Sequence, residues 1–179
     1  RPEALVSDSI LENRIPNPFT LVRKSCYAQV GGYSEVFRRA HDYEFWSRLA
    51  PRGVFKHVNE VVGLVRRHEK SLSQLAKKPD MSFEARIVQA MVERHGPRAS
   101  FPFCYGPAVS TVRSDAHAWS LAALLMLKYG DPAAALEYAR RSAALDSFAT
   151  NQKLLGLLES MLGSRAASKD GEVGGNREF

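Results

Sequence analysis

The chain has 179 residues, 45% of them hydrophobic and 25% charged. That composition belongs to a folded globular protein and excludes a disordered one. No apolar run approaches the roughly 20 residues that a membrane-spanning helix needs, so no membrane span is expected. The net charge of +6 sits wholly in residues 1–100, while residues 101–179 are balanced. A basic surface of this kind suits nucleic acid, an anionic membrane face or a phosphorylated small molecule. Its longest basic runs are dipeptides, Arg38-Arg39, Arg66-Arg67 and Lys77-Lys78 among them. No helix-turn-helix, zinc module or aromatic-interleaved basic stripe accompanies them, so nucleic-acid binding is not expected. Two cysteines, Cys26 and Cys104, make no disulfide framework, and a reducing, cytoplasmic setting fits them. The chain opens on Arg1 rather than Met, and the expectation is that it is a piece of a longer protein.

Taken in order, Phe19–Val22 is a short run of strand type and Arg23–Val30 is long enough for one or two helical turns. Gly31-Gly32 stops that helix, since glycine alone enters the φ > 0 region freely. Asp42 stands where an N-cap or first-turn residue belongs, and Phe45, Trp46 and Leu49 follow as the apolar stripe of a short helix that ends at Pro51 and Gly53. Val54–Val58 and Val61–Arg66 are rich in β-branched residues and are expected to be extended, with Asn59-Glu60 turning between them. Phe83, Ile87, Val88, Met91 and Val92 give the period of a helix closed by Gly96-Pro97. Residues 97–118 hold three prolines and no period, which reads as a linker or a chain wrapped over the preceding domain. Helices are expected on both sides of Gly130-Asp131-Pro132, with a further one over Asn151–Leu162. The small, polar residues 164–179 read as a disordered tail.

Two stretches resemble known families. The helical pair resembles a tetratricopeptide repeat: Trp119 falls at its aromatic position, Ala123 and Ala135 at its small contact positions, and Tyr129-Gly130-Asp131 at its turn. Ser142 and Ser147 depart from the usual alanine and proline. One and a half such repeats make no long solenoid. Upstream, Val30–Glu35 (VGGYSE), His41–Leu49 (HDYEFWSRL) and Val65–Ser73 (VRRHEKSLS) resemble, in order, three segments from the C-terminal half of family 2 glycosyltransferases.

That second resemblance implies an α/β fold. Residues 1–75 would be the acceptor-side half of a GT-A domain, 76–118 a docking helix and linker, 119–163 the tetratricopeptide-like helices and 164–179 the tail. It implies inverting transfer of a sugar from a nucleotide-sugar donor to a glycan or other hydroxyl acceptor. Asp42 would be the general base that takes the acceptor proton, and a carboxylate in a helix's first turn is favoured there by the dipole. Gly31, Gly32, His41 and Glu44 would lie on the substrate side. His41 replaces the family's usual acid, and Glu44 is either a first-turn acid or an acceptor contact. Residues i and i+2 of a helix face apart, so Asp42 and Glu44 are not expected to chelate one metal together. Arg66 and Arg67 would neutralise the departing diphosphate. His68 would be a ligand to its Mn²⁺ or Mg²⁺, imidazole suiting Mn²⁺ better. Trp46 is read as core before sugar platform, and Arg48 as half of a structural ion pair. No Asp-x-Asp motif occurs in the chain, so the fragment alone is expected to be inactive. The alternative is a protein-interaction module that works through its C-terminal helices, with an open groove around Trp119 and Tyr138.

Overall fold

A computed structural model describes residues 2–66 and 81–172, with side-chain surroundings for 6–66 and 81–164. The chain divides into two compact units, Arg1–Ser100 and Phe101–Phe179.

In the first unit, helix α1 spans Pro2–Leu11, α2 Lys24–Val30, α3 His41–Leu49 and α4 Ser82–Ser100, with a 3₁₀ turn at Asn17–Phe19. Helix α2 ends where Gly31 turns left-handed at φ 80° and its N–H bonds back to Ala28. Helix α4 carries a break at Gly96, φ 74° and ψ 171°, just before Pro97, and then resumes. Helix α3 presents Phe45, Trp46 and Leu49 to Val30, with Ile15, Val22 and Cys26 closing the edge. Each of those large side chains, once buried, contributes about 1.5–3 kcal/mol. Trp46 is therefore core, as its helical spacing suggests. Helices α1 and α3 also pack on α4, where Ile10, Ile87, Val88 and Met91 are buried. The Tyr43 hydroxyl fixes α3 to α1 by donating to the Ser9 carbonyl at 2.5 Å.

The second unit is helical too. A 3₁₀ turn at Pro102–Cys104 precedes α5 (Thr111–Lys128), α6 (Pro132–Leu145) and α7 (Ala149–Glu172). Ser110 caps α5 by accepting from the Arg113 N–H, and Asp131 caps α6 by accepting from the Ala134 N–H at 3.0 Å, with Pro132 at the first helical position. Both caps satisfy amide groups that the helix leaves open. Buried Ala122, Ala123, Ala135 and Ala139 let the α5–α6 backbones approach closely. Ser142, the departure from the repeat's usual alanine, has a local reason. Its hydroxyl lies 2.7 Å from the Ala116 carbonyl and 2.8 Å from the Ser120 hydroxyl, which in turn bonds Asn151 at the start of α7.

The expected α/β fold, with a GT-A half-domain over residues 1–75, is overturned: the described residues hold helices and no strand, an all-α architecture. A β-strand is completed by a neighbour's backbone, and the valine-rich residues 54–66 find none among the described residues. They form no regular element, and no backbone hydrogen bond ties them to another described segment. Phe19–Val22 likewise begins in a 3₁₀ turn instead of a strand. Residues 111–118 belong to α5, α7 runs on to Glu172, and the two units divide after Ser100. Helix α1 has no counterpart in the sequence reading.

Swapping Ser142 for the alanine usual in the repeat should weaken the fold. Ser142→Ala is expected to lower unfolding stability by about 1 kcal/mol through the lost hydrogen bonds. A urea midpoint that rises instead would show that the hydroxyl contributes nothing there.

Candidate functional site

Helix α3 begins under strain. Its N-cap is Ala40, a non-glycine residue at φ 57° and ψ 22°, a conformation that costs an L-residue about 1–2 kcal/mol. The first helical hydrogen bond, Glu44 N–H to Ala40 carbonyl at 3.0 Å, closes across that kink. The loop leading into it is held to α4 by Arg39, 3.4 Å from Glu84, and by Phe37, whose ring lies 5.8 Å from that of Phe83. His41 and Asp42 are thus the first two residues after a fixed, strained turn.

Asp42 is half-buried. Its Oδ1 accepts from the Tyr43 N–H at 2.8 Å, and its Oδ2 lies 3.5 Å from the Asn13 amide nitrogen. Asn13 belongs to the connection after α1, and no motif in the sequence singles it out. His41 is exposed, and its ring stands edge-on to Tyr33 at 5.5 Å. Tyr33 rests on Phe45 at 4.9 Å and donates its hydroxyl to Asn17 at 2.9 Å. One side of this corner is therefore aromatic and the other carries a carboxylate.

Glu44 takes a different part. Its two oxygens meet Arg48 one turn later, Oε1 with Nε at 2.6 Å and Oε2 with Nη2 at 2.8 Å. The same guanidinium donates to the Gly32 carbonyl at 2.5 Å and to the Val30 carbonyl. Arg48 and Glu44 are largely shielded, with side chains 18% and 13% exposed. Arg48 is thus a structural ion pair, as one reading of the sequence has it, and it also clamps the end of α2 to α3. Gly31 and Gly32, both at positive φ, form the turn it holds, and a Cβ on Gly32 would sit 2.9 Å from the Tyr27 hydroxyl. These two glycines and Glu44 hold backbone in place here. Two of the three matched segments, Val30–Glu35 and His41–Leu49, are in this way one physical unit.

The third segment is described only at Val65 and Arg66. Arg66 is exposed; Arg67 and His68 lie outside the described residues. Among the described residues no three His, Cys, Asp or Glu side chains gather as a metal site. His68, the metal ligand that the resemblance implies, lies outside those residues. Elsewhere, burial lowers the pKa of His95, with Arg94 adding to the effect, and burial raises that of the Cys104 thiol.

In the second unit Trp119 and Tyr138 pack on each other, ring centroids 5.2 Å apart, with Tyr138 fully buried. The Arg141 guanidinium covers both rings at 4.9 and 5.4 Å and pairs with Glu137 at 2.5 Å. The pair joins α5 to α6, with Trp119 partly exposed. Comparison with protein-family models, with curated proteins and with solved structures gives no match. No helix among the described residues is long and apolar enough to cross a membrane.

Removing the clamp should cost more than removing an ordinary surface charge. Arg48→Met strands the Glu44 carboxylate and is expected to destabilise by about 3 kcal/mol. Arg48→Lys should recover less than half of that, because an ammonium cannot span a carboxylate and two carbonyls in one plane. Equal denaturant midpoints for all three proteins would remove the clamp from the account.

Proposed function

We propose that the first unit is the acceptor side of an inverting nucleotide-sugar glycosyltransferase, with Asp42 as its general base. The observation that carries the reading is the placement of Asp42: a half-buried carboxylate in the first turn of α3, behind a strained N-cap. The ordered likeness of three segments to family 2 glycosyltransferases supports it. The clamp that makes two of those segments one body supports it further.

In the proposed reaction the acceptor hydroxyl oxygen attacks the anomeric carbon of the donor sugar. A new C–O bond forms, the bond to the nucleoside diphosphate breaks, and the diphosphate leaves with the electron pair. The hydroxyl proton passes to the Asp42 carboxylate. Arg66 and Arg67 are proposed to neutralise the diphosphate and His68 to be a ligand to its metal. His41, beside Tyr33, is proposed to face the acceptor. A cytoplasmic setting suits the two free thiols, Cys26 and Cys104. The rival reading is a partner-binding groove at Trp119 and Tyr138, whose rings pack on each other.

In the full-length transferase Asp42→Asn is expected to lower turnover by about 10²–10⁴-fold while leaving nucleotide binding unchanged. Near-normal turnover in that variant would assign the base elsewhere. Residues 1–179 alone, which contain no Asp-x-Asp, are expected to transfer no sugar, and measurable transfer by them would contradict the division of labour proposed here.

A further inference from the structure

The two oxygens of the Asp42 carboxylate are unlike. Oδ1 accepts the Tyr43 N–H at 2.8 Å in a half-buried bond, whereas Oδ2 meets the Asn13 amide nitrogen, 3.5 Å away, at the surface. Oδ2 is therefore the oxygen that an approaching hydroxyl meets. An ionised carboxylate has about four acceptor sites, so one donor on Oδ2 leaves that oxygen free to take a proton as well. Asn13 is itself aimed. Its Oδ1 accepts the Ile15 N–H at 3.4 Å, and an amide whose oxygen is engaged there turns its NH2 the other way, toward Asp42. Ile15 packs on the cluster of Val30, Phe45, Trp46 and Leu49, so the residue that orients Asn13 is seated on the core. Glu12 and Arg14 alternate with these two and pair with each other in the open at 3.7 Å. Farther along the same connection Asn17 accepts from the Tyr33 hydroxyl at 2.9 Å, and the His41 ring stands against Tyr33. Residues 13–17 thus reach both residues that follow the strained turn.

We propose that Asn13 is a positioning residue, whose amide holds Oδ2 of Asp42 at one angle while that oxygen takes the proton of the acceptor hydroxyl. This role rests on the transferase reading and deepens it, naming the basic oxygen and the group that aims it. The Tyr43 N–H belongs to the adjoining residue and fixes the carboxylate relative to α3 alone. Asn13 ties it to a connection packed on the core, and a fixed direction of approach is what a proton acceptor needs. A separation of 3.5 Å is long for such a bond, and catalytic hydrogen bonds commonly tighten when substrate arrives. A neutral donor also orients the carboxylate without the full positive charge that would oppose its taking a proton.

In the full-length transferase Asn13→Asp separates this role from a merely structural one. Aspartate keeps the shape and an acceptor for the Ile15 N–H but has no amide to donate. Transfer is followed as nucleoside diphosphate release from uridine and guanosine diphosphate sugars, with methyl glycosides as acceptors. Asn13→Asp and Asn13→Ala are each expected to lower kcat roughly 10–100-fold with the donor KM unchanged. In the Asp42→Asn background neither should lower it further. Near-normal kcat in Asn13→Asp, beside a crippled Asp42→Asn, would overturn the role of Asn13 and leave the base in place. Near-normal turnover in Asp42→Asn would instead remove the base, and the role of Asn13 with it. Residues 1–179 give a readout that needs no substrate: Asp42→Asn should shift the side-chain amide resonances of Asn13 and leave those of the exposed Asn59 in place. An Asn13 amide indifferent to that change would overturn the proposal as well.

Discussion

One guanidinium holds the first unit's chemistry in register. Arg48 sits on the inner side of a nine-residue helix and has four acceptors within reach: two oxygens of Glu44, one turn earlier in its own helix, and the carbonyls of Val30 and Gly32. A helix this short has little stability of its own, because nucleation is costly and few residues share the cost. What keeps α3 helical is the burial of Phe45, Trp46 and Leu49 on one side and this fork of hydrogen bonds on the other. The carbonyls at the end of α2, which a helix leaves open, gain charged donors in the same stroke.

The strain at Ala40 belongs to the same balance. A left-handed alanine persists only when its surroundings fix it more strongly than its own preference resists. Here the Arg39–Glu84 pair and the Phe37–Phe83 contact hold the incoming loop, while the clamp holds the helix that follows. Between them the chain has no slack, and Asp42 and His41 emerge at a set angle. A base that must meet an acceptor hydroxyl needs such a fixed approach, so the proposed role of Asp42 draws on the packing behind it as much as on the carboxylate.

Local features were legible in the sequence and partnerships were not. The Phe45, Trp46, Leu49 spacing, the Gly31-Gly32 stop and the Gly130-Asp131-Pro132 turn each lie within one helix or its cap, and each stands where the residues indicate. Helix α1 escaped because its buried side includes Ser7 and Ser9 beside Val6 and Ile10, and apolar periodicity does not register small polar residues. Residues 54–66 have the composition of strands, but a ladder needs a second backbone, which no run of valines can supply for itself. At the candidate site the pairing of Glu44 with Arg48 follows from i, i+4 spacing. The carbonyls that share the guanidinium, the amide of Asn13 near Asp42 and the sign of φ at Ala40 depend on the folded path and leave no mark on residue type.

The clamp is the claim on which the site stands, and proton exchange at Arg48 Nε reports on it directly. A guanidinium held between Glu44 and the Gly31-Gly32 turn should give a resolved, slowly exchanging Nε–H resonance at neutral pH, well separated from that of the exposed Arg52, and Glu44→Gln should abolish its protection. An Arg48 Nε–H that exchanges as fast as that of Arg52 in the unaltered protein would mean that α2 and α3 are not joined in this way, and the positioning of Asp42 argued from it would fail.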